Sequence, residues 1–154
     1  MSAFTPVEKS LCLQKICEAN YGRLARLVPD LLQIGHAATA RVAGKPALHL
    51  RVLERSPFTL ELELTHDFEG GQAVYLEPAV RIRVCLDART VEMLCDAARP
   101  LVHDALRHGT EPAAVLDYKW SLNYFLSRWL DHCIAGQYRF GVESRERQEA
   151  LLSV

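Results

Sequence analysis

The sequence has no Cys-x-x-Cys pair, no excess of either charge and no long apolar run. Each lack excludes something. Without paired cysteine spacing there is no zinc-ribbon or thioredoxin-type motif, and the odd count of five cysteines does not suggest a secreted disulfide framework. With 18 basic against 19 acidic residues, no strong long-range field is available to capture nucleic acid or an anionic membrane. A bilayer-spanning helix needs roughly 18–20 apolar residues, and no stretch approaches that. The N-terminal residues also lack the basic-then-apolar pattern of a secretory signal. A cytoplasmic protein with reduced thiols is therefore expected. What remains is the composition of an ordinary globular domain, 49% hydrophobic and 24% charged over 154 residues, which reads as one domain spanning 1–154.

Two periods organise the chain. Leu13, Ile16, Cys17, Leu24, Leu27 and Val28 recur at helical spacing, which predicts a helix from about Glu8 to Val28, ended by Pro29. Gly22 lies within this pattern and predicts a break near Asn20–Arg23. Apolar residues then alternate with polar ones in five short runs, at Ala38–Val42, Leu48–Val52, Leu60–Leu64, Val80–Leu86 and Val91–Cys95. Short connections between them predict a five-stranded antiparallel meander with one buried face. A second helix is expected over Tyr118–Ala135, with Leu122, Phe125, Leu126, Trp129, Leu130 and Cys133 as its apolar stripe and Gly136 as its stop. A shorter one is expected over Pro100–His108, and residues 137–154 read as a docking or loose tail ending in Leu151-Leu152. The fold class is thus α+β, with N- and C-terminal helices packed on one face of the sheet.

Phase fixes the expected register, because a one-residue slip exposes every buried side chain. Centring the second turn on Ser56 opposes Val52 to Leu60 and Arg51 to Glu61, whereas an even loop between Arg55 and Ser56 puts the strands out of phase. In the last hairpin, a tight Asp87–Thr90 turn opposes Leu86 to Val91 and Val84 to Met93. The outward face then runs basic, acidic, basic, acidic over successive strands, with pairs worth roughly 0.2–1 kcal/mol each. Aromatic rings for stacking bases are missing from that face, which disfavours an RNA-binding sheet. Arg139, Arg145 and Arg147 are the only hint of nucleic-acid binding.

Candidate chemistry is sparse. His103 and His108 are five apart, Asp131-His132-Cys133 diverge by about 100° per residue on a helix, and neither set suits a metal ion. No metal or cofactor is expected. Gly70-Gly71 leads into strand-like residues and so makes no phosphate cradle. Cys85 falls on the outward phase between Arg83 and Asp87, either as a reactive thiol or as one covered by a loop or partner. Asp117, Lys119 and Asn123 gather at the start of the second long helix, Asp117 as a candidate N-cap. Two helices on one sheet would bring Asn20 and Glu18 towards Asn123, and Tyr75 is a further candidate. The set Asn20, Glu18, Tyr75, Asp117, Lys119 and Asn123 is the candidate ligand site.

The stretches CEANYGRLARLVP (Cys17–Pro29) and DYKWSLNYFLSRWLDHC (Asp117–Cys133) resemble the signatures of the YqiB-like family, with a looser match around Tyr75–Val91. Between Ala97 and Leu116 the chain departs from that pattern. The resemblance implies a bacterial, cytoplasmic protein and carries no assigned activity. Two functions are in competition: a non-enzymatic binding or interaction module, as a homodimer or with a protein partner, and a small-molecule or enzymatic site between sheet and helices.

Overall fold

The computed structural model describes residues 6–67, 79–95 and 112–141. Expectations for Tyr75, the Gly70-Gly71 loop, the Pro100–His108 helix, Arg145, Arg147 and Leu151-Leu152 lie outside the described residues. Helix α1 spans Pro6–Leu27 and is followed by a single 3-10 turn at Leu31–Gln33. Strands β1 (Ala37–Ala40), β2 (Ala47–Arg55), β3 (Thr59–Asp67), β4 (Val80–Cys85) and β5 (Thr90–Cys95) follow, then helix α2 (Pro112–Ala135). The five strands form one antiparallel sheet in the order β1-β2-β3-β4-β5, the α+β meander that the alternation predicts.

Leu48, Leu50, Leu60, Leu62, Leu64, Val80, Ile82, Val84, Val91 and Met93 point to one face and are all buried. They share a core with Leu24, Leu27 and Val28 of α1 and with Leu122, Leu126, Leu130 and Cys133 of α2. The helices run parallel: Lys9 pairs with Asp117 near one end, and Arg23 with Asp131 near the other. The middle of α2 lies beside β5, where Asn123 bonds Met93, and the helix ends over the β1–β2 turn, where Gly136 bonds Lys45. The helix pair therefore crosses the buried face obliquely and covers the β5 edge.

Four local expectations are corrected. α1 does not break at Gly22, which is exposed with open space around it. A solvent-facing glycine costs only about 1 kcal/mol in a helix, less than burying Leu24 and Leu27 returns. α2 starts at Pro112, so Asp117 lies within the helix and pairs with Lys9 at 3.0 Å instead of capping. In the β2–β3 hairpin Val52 faces Leu62 and Arg51 faces Glu63, two residues along β3 from expectation. The connection is an even, two-residue Pro57-Phe58 loop closed by the Ser56 N–H donating to Thr59 O at 2.9 Å. A register shift between Val52 and Glu54 inserts Leu53 as an extra residue and restores the phase that an even loop would lose. The β4–β5 turn spans residues 86–89, with Arg89 at φ 55°, so Val84 meets Val91 and Arg83 directly faces Glu92.

The charge alternation survives these shifts. Arg51, Glu63 and Arg81 face one another across β2–β4, and Glu61, Arg83 and Glu92 across β3–β5. Arg51 bonds Glu63 at 2.9 Å and Arg83 bonds Glu61 at 3.2 Å. Such exposed pairs contribute at most about 1 kcal/mol each, so their main effect is on register. The start of the tail is docked: Tyr138 and Phe140 are buried, and the Phe140 N–H donates to Leu27 O.

Deleting Leu53 removes the bulge and leaves both halves of the hairpin in phase, whereas deleting Glu63 from β3, which has no residue to spare, turns Leu64 and His66 outward. Circular-dichroism melts are expected to show cooperative unfolding for the first deletion and no folded baseline for the second.

Candidate functional site

The polar residues singled out on the helices divide into a buried joint and an exposed rim. Asn20 and Asn123 are fully buried. The Asn20 side chain donates from Nδ2 to Asn123 O at 3.2 Å and accepts from Arg23 Nη1 at 3.2 Å. Asn123 accepts from the Met93 N–H at 2.8 Å through Oδ1 and donates from Nδ2 to Lys119 O at 2.8 Å. These bonds tie α1 to α2 and α2 to β5. A buried amide is costly without partners, and these two meet the requirement with backbone groups and with Arg23.

The rim residues pair with their neighbours. Glu18 is exposed and accepts from Gln14 Nε2 at 3.1 Å. Asp117 pairs with Lys9, and Lys119 approaches Glu92 at 3.7 Å. The structure thus brings Asn20 and Asn123 together, with Lys119 one helical turn away, and leaves Glu18 and Asp117 on the surface. Tyr75 is outside the described residues.

Cys17, three residues before Asn20 on α1, is also buried. Burial pushes its thiol up from 9.0 to about 12; the nearby Glu92 carboxylate adds to the rise and Lys119 opposes it. Cys17 therefore stays protonated and packs as a small apolar group. Cys133 is likewise buried, while Cys85 is half-buried between Thr59 and Thr90 on the outward face. Among the described residues, no group of three or more His, Cys, Asp or Glu side chains could hold a metal ion. No described helix is long and apolar enough to cross a membrane.

A second constellation was not singled out from the sequence. His66, at the end of β3, is buried, with its ring 5.5 Å from that of Trp129 and 5.3 Å from that of Tyr138. One signal pointed to it: continuing the Leu60, Leu62, Leu64 alternation by one step places a histidine on the inward face. Tyr138 and Phe140 similarly continue a period of two beyond Gly136.

An oblique parallel helix pair over an antiparallel meander, pinned by a buried Asn–Asn joint, defines a small α+β domain class. The chain belongs to the DUF1249 family of proteins of unknown function, whose sequence model matches residues 23–139. That span takes in the whole sheet, α2 and Tyr138, and begins in the last turns of α1. No curated protein and no solved structure matches the chain.

Replacing Asn123 with alanine strips the Met93 N–H of its partner. Urea unfolding is expected to show a loss of about 1–3 kcal/mol, the cost of an unpaired buried donor. Because the folded-state pKa of Cys17 lies above the unfolded one, its burial favours folding fully below pH 9, and that advantage fades as pH rises towards about 12. Stability measured across this range should fall less steeply for Cys17→Ala than for the parent.

Proposed function

We propose that this protein is a non-enzymatic binding or interaction module acting through a protein partner, with a second copy of itself as the first candidate. The observation that carries the reading is the state of the Asn20–Asn123 joint. The amides that could have formed a reactive centre are already bonded to backbone groups and to Arg23. A small-molecule or enzymatic site built from Asn20, Asp117, Lys119 and Asn123 would have to break those bonds, so it finds weaker support.

The contact surface in this proposal is the solvent side of α2. Trp120 and Tyr124 are 40% and 48% exposed, and their rings stack with centroids 6.2 Å apart. Arg128 reaches the Tyr124 hydroxyl at 3.5 Å. Trp, Tyr and Arg are the residues that most often anchor protein interfaces. The YqiB-like resemblance, with its bacterial and cytoplasmic setting, belongs to the same proposal, and five free thiols suit a reducing compartment.

Size-exclusion chromatography with light scattering at high micromolar concentration tests self-association. The expected mass is that of a dimer, reduced to a monomer by Trp120→Ser with Tyr124→Ser. A wild-type monomer at that concentration removes the homodimer from the proposal.

A further inference from the structure

At the C-terminal end of α2, beyond the Asn123 joint, lies a pocket of about 430 Å³, walled by the β1–β2 turn, the end of β3 and the end of α2. Its volume falls within the range of small-molecule sites, roughly 300–1,000 Å³. Lys45, His66 and His132 line it with Tyr138, and among the described residues no acidic side chain does.

Two bonds join the walls. Lys45 Nζ donates to Gly136 O at 3.0 Å, and the Tyr138 hydroxyl donates to Pro46 O. Both tie the β1–β2 turn to the segment that leaves α2, so the opening is formed in advance of any ligand. His66, held edge-on to Trp129 and tilted on Tyr138, supplies a flat inner wall.

A helix C-terminus ordinarily presents free carbonyl groups and favours cations. Here most of those acceptors are occupied. His132 O accepts from the Gly136 N–H, Cys133 O from the Tyr138 N–H and Ile134 O from the Gln137 N–H, leaving Ala135 O of the last four, while Gly136 O just beyond the helix accepts from Lys45. The helix end therefore offers little to a cationic guest. Lys45 is left with donors to offer, because an ammonium carries three N–H groups and Gly136 O takes one. The His132 imidazole is exposed beside it.

We propose that this pocket binds a small organic anion, its carboxylate or phosphate group against Lys45 and His132 and its flat or apolar portion against His66 and Tyr138. The site is separate from the Trp120–Tyr124 surface, so neither proposal depends on the other.

Isothermal calorimetry with benzoate, phenyl phosphate, inorganic phosphate and the neutral benzyl alcohol tests it. Phenyl phosphate and benzoate are expected to bind one-to-one and to compete, with inorganic phosphate weaker and benzyl alcohol silent. Lys45→Gln, which keeps a donor for Gly136 O but loses the charge, should weaken phenyl phosphate about tenfold or more, the scale of one charge-assisted hydrogen bond. His132→Gln alters an exposed side chain and gives a second reading if Lys45→Gln melts early. The Trp120→Ser/Tyr124→Ser protein should bind the anions as the parent does. Silence from every anion, equal binding of benzyl alcohol, or unchanged affinity in both Lys45→Gln and His132→Gln overturns the proposal.

Discussion

One buried amide, that of Asn123, holds the two layers of this protein together. Its oxygen accepts from β5, its nitrogen donates within α2, and the carbonyl of the same residue accepts from Asn20 of α1. Apolar burial explains why the helices lie on the sheet, but it is non-directional and would tolerate a range of rotations and slides. The amide does not, because any displacement leaves a buried donor or acceptor unpaired. It also occupies a backbone group on the β5 edge, where an open strand would otherwise present itself for pairing. Orientation of the helix pair and closure of that edge both depend on it.

The sequence made the architecture legible because strand alternation and helical stripes are direct consequences of one-sided burial. All five strands, both long helices and the outward placement of the charged side chains follow from that single requirement. Pairing partners were harder to read. Parity is dictated by phase, but a shift of two residues preserves parity, and only the turns decide between such registers. Leu53 shows the difficulty: an even loop violates phase unless a bulge corrects it, and nothing in the local composition announces the bulge.

The candidate site was legible to different degrees. Asn20 and Asn123 could be brought together because polar residues on apolar stripes demand partners, and each is a partner available to the other. What they bond could not be read, since the Met93 N–H and the Lys119 carbonyl are backbone groups with no signature in the side-chain pattern. His66 was readable from phase alone. Its neighbours Lys45 and Gly136 were not, because their bond joins a turn to a helix end 91 residues away. α2 thus has two unlike stretches. Near β5 its polar groups are spent on the fold, and near the β1–β2 turn most of the carbonyls are spent while donors remain.

The parallel pairing of α1 with α2 has a consequence for how the molecule comes into being. The contacts that fix α1 join residues 103 and 108 positions apart. During synthesis α1 is made first, yet its partner helix follows the entire sheet. The meander can assemble from neighbouring strands as they appear, but its apolar face has no complete cover until α2 arrives. Long-range closure of this kind slows folding and prolongs exposure of sticky surface. The first helix made is thus among the last to be secured, and for most of its synthesis the chain is a sheet waiting for its lid.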